Sequence, residues 1–324
     1  AGGPLDPPGA PGVTMKSLSE VEPRTPISSL PYTISEPGSY YLTGNLSVST
    51  ATDGISVQAD DVTIDLNGFE LNGNGMGSRA IFGSTAGGFP PPPPRRNWRV
   101  YNGAIVGWAD AFSAPTSQVQ IDHVRASGIR RAGLYLGAGA RVSDCSVEGS
   151  GPSTTQGILT GQRSSVESCS TRGFDKGISV DPYSTVASCN VTAARIGVQA
   201  SFASTVASCM IAAIENGILA DSQSAIIGNQ INMLSATAPA SCGIYTGGNG
   251  TAIDGNRITN SPQGVCLAPN SGHTATRNSF HNITTAAFTG YTGNDVPPVV
   301  AAAGATNPLS NICVSPLGTC ASTP

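Results

Sequence analysis

The sequence predicts an all-β fold, a right-handed single-stranded parallel β-helix of about ten rungs, and two observations carry that prediction. First, three consecutive 20-residue units align without gaps: SSVESCSTRGFDKGISVDPY at 164–183, STVASCNVTAARIGVQASFA at 184–203 and STVASCMIAAIENGILADSQ at 204–223. Each reads x-x-Val-x-Ser-Cys, then an alternating stretch, then Gly-Ile or Gly-Val. Period-two alternation on both sides of a small-residue turn means strands rather than helices. A period of 20 is too short for ankyrin, tetratricopeptide or propeller units, and the Leu frame of leucine-rich repeats is absent.

Second, the same frame extends in both directions, with insertions between rungs. One column runs Asn67, Gly103, Val124, Cys145, Cys169, Cys189, Cys209, Asn229, Asn256 and Asn278. Three residues before it stands an aliphatic column: Ile64, Val100, Ile121, Val142, Val166, Val186, Val206, Ile226 and Ile253. A Gly-Ile column begins at Gly54-Ile55 and Ala80-Ile81 and continues from Gly133-Leu134 to Gly264-Val265. In a parallel coil, residues of one column lie above one another. The aliphatic column should therefore form an internal ladder, and the Asn residues should pass hydrogen bonds from rung to rung at a bend. Ten rungs at about 4.8 Å make a rod of about 48 Å.

This frame divides the chain into three: a Pro/Gly-rich segment and capping element at 1–36, the coil at 37–292, and a tail at 293–324. The run TMKSLSEVEP is a short helix candidate, with Thr14 as N-cap and Pro23 as stop. Such an element would cover the open end of the coil.

Composition narrows the class. Hydrophobic residues make up 39%, enough for a narrow continuous core, and charged residues only 11%, too few for a disordered chain. The formal charge is −4 and Lys occurs only as Lys16 and Lys176, which argues against a nucleic-acid partner. No apolar run reaches 18 residues, so no membrane span is expected. The chain begins at Ala1 without Met, which reads as a mature secreted form, extracellular or at the cell surface. Sequons start at Asn45, Asn190, Asn249 and Asn282, and they matter if the source glycosylates Asn.

Eight Cys in a secreted chain invite a disulfide framework. Cys145, Cys169, Cys189 and Cys209 share one column, however. A straight row suits unbridged packing thiols and not a tetrahedral metal site. Cys313 and Cys320 are close enough in the tail for a local bridge. Cys242 and Cys266 are three positions out of register on adjacent rungs, about 10 Å apart along a strand, too far to bridge unless the turn bends.

The coil resembles the pectin-lyase-like superfamily, whose members stack Asn and aliphatic ladders in this way. The segments ISSLPYTISEPGSYYLTGNLSV and DGISVQADDVTIDLNGFEL are similar to the opening of bacterial secreted right-handed β-helix repeat proteins. The resemblance spans about residues 14 to 292 and implies the fold. The superfamily holds lyases, hydrolases, epimerases, adhesins and tailspikes, so function has to come from the residues.

Chemistry-bearing residues gather in the early rungs. Asp65, Tyr101, Asp122 and Glu167 occupy one column, with Arg99, His123, Arg125, Arg141 and Asp144 nearby. Insertions at 83–98, with a proline run, and at 108–118 would raise loops beside them and wall a cleft. Trp98, Trp108 and Tyr135 are candidate sugar platforms, and Arg99, Arg141 and Glu167 candidate substrate contacts. β-Elimination on a uronic polymer needs a carboxylate neutraliser, a base and an acid. Arg125 or Arg141, His123 and Tyr101 fill these roles. Hydrolysis needs paired carboxylates, Asp122 with Asp144.

Plainer readings stand beside these. His123 is equally at home as an inert coil or turn residue, Asp122 with Arg125 as a surface ion pair, and the aromatics as pins for loops. The polygalacturonase motifs are absent as a set, Asp60-Asp61 being a bare pair. The pectate lyase calcium signature is missing too, so no cofactor is expected and calcium has no motif to bind it. The expected function is binding or cleavage of an extracellular polysaccharide. The alternative is a non-enzymatic structural or adhesive protein, self-associating into fibres, favoured by bland outward columns such as Ala187, Ala207 and Ile227.

Overall fold

The computed structural model describes residues 22–83, 96–115, 118–151, 155–234, 241–269, 271–290, 292–301 and 307–313. The chain is an all-β, right-handed parallel β-helix of about eleven turns. Its 31 described strands, numbered β1 (Thr25–Ile27) to β31 (Asn311–Cys313), pair in parallel from rung to rung. No helix occurs among the described residues, and so none long and apolar enough to cross a membrane.

Each full rung presents three faces. The first is built from short strands such as β16 (Ser165–Glu167) and β19 (Thr185–Ala187). The second holds β17 (Ser170–Arg172) and the start of β20 (Asn190–Ala200); the third holds β18 (Lys176–Val180) and the end of β20. A single left-handed residue turns the chain from the first face to the second: His123, Asp144, Ser168, Ser188, Ser208, Gly228, Gly255 and Arg277 in successive rungs. Another turns it from the third face back to the first, at Gly139, Arg163, Tyr183, Ala203, Gln223, Gly250 and Gly272. Left-handed backbone costs a non-glycine residue about 1–2 kcal/mol, so something at each bend must hold it.

Internal ladders hold it. Behind the first bend stands the thiol and amide column. The N–H of Cys209 donates to Asn229 Oδ1 at 2.9 Å, that of Asn229 to Asn256 Oδ1 at 2.9 Å, and that of Asn256 to Asn278 Oδ1 at 3.0 Å. The row continues to Asn311, one rung beyond the sequence-predicted column. Earlier in the coil the bend N–H groups of Cys145, Cys169 and Cys189 face the next sulfur instead. The four thiols are free and buried, as the spacing predicted. Cys169 and Cys189 are pushed up to about 12, first by the neighbouring thiol and then by burial. Cys145, at the end of the row, is lowered because Cys169 donates to it.

Behind the second bend stands a column the sequence reading passed over: Ser164, Ser184, Ser204, Ser224, Thr251 and His273, all buried. The N–H of Ser164 donates to Ser184 Oγ at 3.1 Å and that of Ser184 to Ser204 Oγ at 3.2 Å. These residues stand five positions before the Cys/Asn column in every rung, a regularity visible in the repeat. At His273, Nδ1 accepts from the Thr251 N–H at 3.0 Å, so the proton sits on Nε2, 3.2 Å from Thr246 Oγ1.

Burial holds the His273 imidazole below its ordinary value of 6.5, so the folded state prefers it neutral. Its stabilisation is complete above pH 6.5 and is lost as pH falls toward the lowered value, where the unfolded chain takes up the proton first. We expect the unfolding midpoint to drop as pH falls below 6.5, and a His273→Gln variant to lose that part of the drop. Superimposable acid profiles for the two proteins would remove this role.

Several expectations need correction. The N-terminal capping helix is not supported. Residues 14–21 of TMKSLSEVEP lie outside the described residues, and the chain from 22 onward is extended. Pro23, Pro26 and Pro31 remove N–H donors there and disfavour helical backbone at the residues before them. Parallel pairing runs from Thr25 to Cys313, wider than 37–292.

Residues 108–115 are not a loop. They contain β10 (Asp110–Ala114), which pairs with β8 (Arg79–Gly83) and β12 (Ala132–Leu136) and inserts Ala111-Phe112 into the Gly-Ile column. This additional rung lengthens the coil past the expected ten. Asn67 is exposed rather than internal, because Leu66 takes the inward position against Gly103. Cys242 and Cys266 do form a disulfide, with Cα atoms 6.1 Å apart. The strand does not alternate there: Cys242, Gly243 and Ile244 are all buried, and the bend closes the distance that straight register would leave. Cys320, the expected partner of Cys313, and the proline run at 90–94 lie outside the described residues.

Candidate functional site

On the first face the outward residues stack in two columns. One runs Thr63, Arg99, Gln120, Arg141, Ser165, Thr185, and the other Asp65, Tyr101, Asp122, Ser143, Glu167, Ala187. The inward residues between them, from Ile64 to Val186, are fully packed, so strand alternation alone aims both columns at solvent. The sequence-predicted column of Asp65, Tyr101, Asp122 and Glu167 is therefore real, with Ser143 completing it.

The early end of this face is a closed charge network. The Arg24 guanidinium donates to Asp65 Oδ2 at 2.9 Å, pairs with Glu22, and lies 4.7 Å over the Tyr41 ring. Asp65, 7% exposed, also accepts from the Asn67 N–H at 2.7 Å and Asn102 Nδ2 at 3.1 Å. One rung on, Arg99 grips Asp122 through Nε and Nη2, both at 3.0 Å, and lies 4.5 Å over the Tyr101 ring. Gln120 Nε2 adds a bond to Asp122 Oδ1 at 3.3 Å, and His123 Nδ1 stands 3.6 Å from Oδ2. Burial alone would raise the Asp122 carboxyl, but the Arg99 fork and His123 outweigh it and hold it below the usual carboxylate range. Burial and the Asp65 charge push the Tyr101 phenol up. Tyr101 is thus a protonated donor and Asp122 an ionised acceptor already saturated.

The bend at His123 separates the rest of the proposed catalytic set. His123 is exposed, with left-handed backbone, and occupies the turn rather than a strand face. Asp144 sits in the equivalent turn of the next rung, also exposed, and so does not share the Asp122 column. Arg125 follows the bend and lies on the second face opposite Ser146. It therefore does not pair with Asp122; Arg99 does. Trp98 and Trp108 are buried inside the coil, their indole N–H groups donating to Ala59 O at 2.7 Å and Leu71 O at 2.9 Å. Neither offers a ring to a sugar. Tyr135 is 40% exposed but lies on the third face, opposite Leu159.

Past Arg99 the first face opens. A groove of about 390 Å³ is bordered by Asp61, Asn97, Arg99, Gln118, Gln120 and Arg141. Gln120 and Arg141 also border its continuation of about 560 Å³, with Arg163, Glu167 and Tyr183. Arg163 and Tyr183 hold the same left-handed turn position one repeat apart, with the guanidinium 5.8 Å from the ring. The sequence reading missed both, although their shared place in the 20-residue units marks them. Several other guanidiniums are neutralised: Arg79 by Asp53, Arg131 by Asp110, Arg195 by Asp175 and Glu215, and Arg277 by Asp254. Of the described arginines in no ion pair (Arg96, Arg125, Arg130, Arg141, Arg163, Arg172 and Arg257), Arg141 and Arg163 are the two that border this groove, and both are exposed. No His, Cys, Asp or Glu cluster able to hold a metal ion occurs among the described residues. The sequon residues Asn45, Asn190, Asn249 and Asn282 are all exposed.

No protein-family model matches the chain, and no curated protein matches it. Solved structures with a similar course include the DFA-IIIase of Arthrobacter chlorophenolicus A6 without its lid, 11% identical with a TM-score of 0.42, covering 88% of each chain. The A-module of the Azotobacter vinelandii mannuronan C-5 epimerase AlgE6 is 13% identical with a TM-score of 0.37, covering 86% of this chain and 91% of that one. The Dettilon tailspike protein is 10% identical with a TM-score of 0.42, covering 90% of this chain and 60% of its own.

Proposed function

We propose that the chain is an extracellular polysaccharide-binding coil that holds an acidic glycan along its first face. The observation that carries this reading is the pair of unneutralised guanidiniums, Arg141 and Arg163, on one continuous polar groove. The groove is built on parallel rungs and stays open along the axis. From Thr63 to Thr185 it crosses six rungs, about 24 Å at 4.8 Å per step. That length suits an extended polymer better than a small ligand. Gln118 and Gln120 supply neutral contacts for hydroxyls, and the two Arg side chains contact carboxylates. The Cys242–Cys266 disulfide supports an oxidising, extracellular setting.

Binding fits this face better than cleavage. Asp122 is spent on Arg99, His123 occupies a turn, and Arg125 is round the bend. The test is calorimetric titration with polygalacturonate, alginate and a neutral glucan. An exposed ion pair contributes about 0.2–1 kcal/mol, so the Arg141→Ala, Arg163→Ala double variant is expected to lose about tenfold in affinity for the acidic polymers. Wild-type binding should weaken as salt rises. Equal affinity for the neutral glucan, or a double variant that binds as wild type does, would sink the proposal. A rise in ultraviolet absorbance on incubation with the acidic polymers would reveal elimination and make the coil a lyase.

A further inference from the structure

A second groove, of about 560 Å³, lies on the second face of the later rungs, outside the segment 99–167 where the sequence concentrates its charges. Two outward columns form it. Asn190, Met210, Gln230 and Arg257 stack in one, and Ala212, Asn232, Thr259 and His281 in the other. Its chemistry differs from that of the first face: no carboxylate borders it, and most of its polar groups are carboxamides, with one guanidinium, that of Arg257, at the later end of the first column.

These carboxamides are partly linked and partly free. Asn282 Nδ2 donates to Asn260 Oδ1 at 2.8 Å, and Asn260 Nδ2 donates to Asn232 Oδ1 at 2.8 Å, making an external amide chain along the rim. Asn232 Oδ1 also stands 3.2 Å from the Thr259 hydroxyl, whose single proton is equally close to Ile231 O. The Asn232 Nδ2 hydrogens, and those of Asn190, have no protein acceptor among the described residues. Clasping the left-handed turns at Asn260 and Asn282 would account for the rim alone. It does not account for the unused donors of Asn190 and Asn232, nor for Met210, which is 54% exposed beside Ala212 on the floor.

We infer that this groove binds a neutral, hydroxyl-rich glycan, independently of the first face. A hydroxyl is both donor and acceptor, and uncharged carboxamides match it in both roles. A polymer with a carboxylate on every sugar calls for donors alone at every rung, whereas this groove has a single guanidinium at one end, and an organic cation calls for acceptors alone. Met210 and Ala212 give the C–H face of a sugar ring an apolar floor, with the thioether able to adapt to it. The columns repeat at each rung, so the groove accepts a chain running along the axis.

The experiment is affinity electrophoresis of the full chain, produced in a host that does not glycosylate Asn because Asn190 is a sequon within the groove. The gels carry hydroxyethyl cellulose, glucomannan, arabinoxylan or galactan, with polygalacturonate as the charged comparison. Retardation by at least one neutral polymer is expected. Ala212→Trp, which fills the floor, and Asn232→Ala, which removes free donors and frees Asn260, should each weaken it about tenfold. The Arg141→Ala, Arg163→Ala double variant should be retarded as wild type is. Both groove residues are on the surface, and circular dichroism confirms that the variants fold. Failure of all four neutral polymers to retard the chain overturns the inference. So does retardation that survives both groove variants, or that disappears with the first-face pair.

Discussion

Asn256→Ala is expected to destabilise the coil by about 3–5 kcal/mol. The Asn256 carboxamide is fully buried and makes four bonds. Its oxygen accepts from the backbone N–H and the Nδ2 of Asn229, both at 2.9 Å; its Nδ2 donates to Ile226 O at 2.9 Å and to Asn278 Oδ1 at 3.0 Å. An alanine leaves the Asn229 N–H and one Asn229 Nδ2 hydrogen without their acceptor in a site that water does not reach, at about 1–3 kcal/mol each. Guanidinium unfolding followed by circular dichroism measures the loss. Because each rung packs only on its neighbours, the later rungs should melt first in the variant. Asn256→Cys is the informative companion. The same column carries thiols four times upstream, where a sulfur receives the bend N–H, so Cys should recover part of what Ala loses. A change below about 1 kcal/mol for Asn256→Ala would show that the ladder is not what holds the bend.

Trp108→Ala is expected to cost about 3–5 kcal/mol and to leave glycan affinity unchanged. The ring is enclosed and its N–H is bonded to Leu71 O. Three glycines make room for it. A Cβ on Gly77 would come within 2.4 Å of the ring, on Gly73 within 2.9 Å and on Gly54 within 3.0 Å. With no side chains at those positions to move inward, an alanine at 108 leaves a cavity that the surroundings cannot fill. If Trp108 were instead a sugar platform, the variant would keep its stability and lose binding. Denaturant unfolding and calorimetric titration on the same variant separate the two.

Trp108 also marks where sequence reading reached its limit. The units at 164–223 show their period plainly because nothing interrupts them. Residues 108–118 look like an insertion because Ala111-Phe112 replaces the Gly-Ile signature, and only the pairing of β10 with β8 and β12 reveals another rung. The Ser column was legible and overlooked. Arg163 and Tyr183 were legible as one repeat position, but nothing in that position says that it borders a groove. The second-face amides are dispersed in sequence from Asn190 to Asn260 and form a cluster only when the rungs stack.

The sequence by itself determined that this chain coils, which residues point inward, and that four cysteines stack as free thiols. Those properties follow from alternation along a strand and a repeat that brings like residues together, both local and periodic. Only the tertiary structure decided which charges neutralise one another and which face each residue joins. Asp122 and Arg125 are three residues apart in the chain, yet the left-handed bend at His123 sends them to different faces. Arg99 meets Asp122 from 23 residues away, because adjacent rungs bring their side chains within hydrogen-bonding reach. Left-handed positions are filled here by His, Asp, Ser, Arg and Gly alike, so residue type does not announce the turn. The turn sets the face, and the face decides what is left unpaired for a ligand.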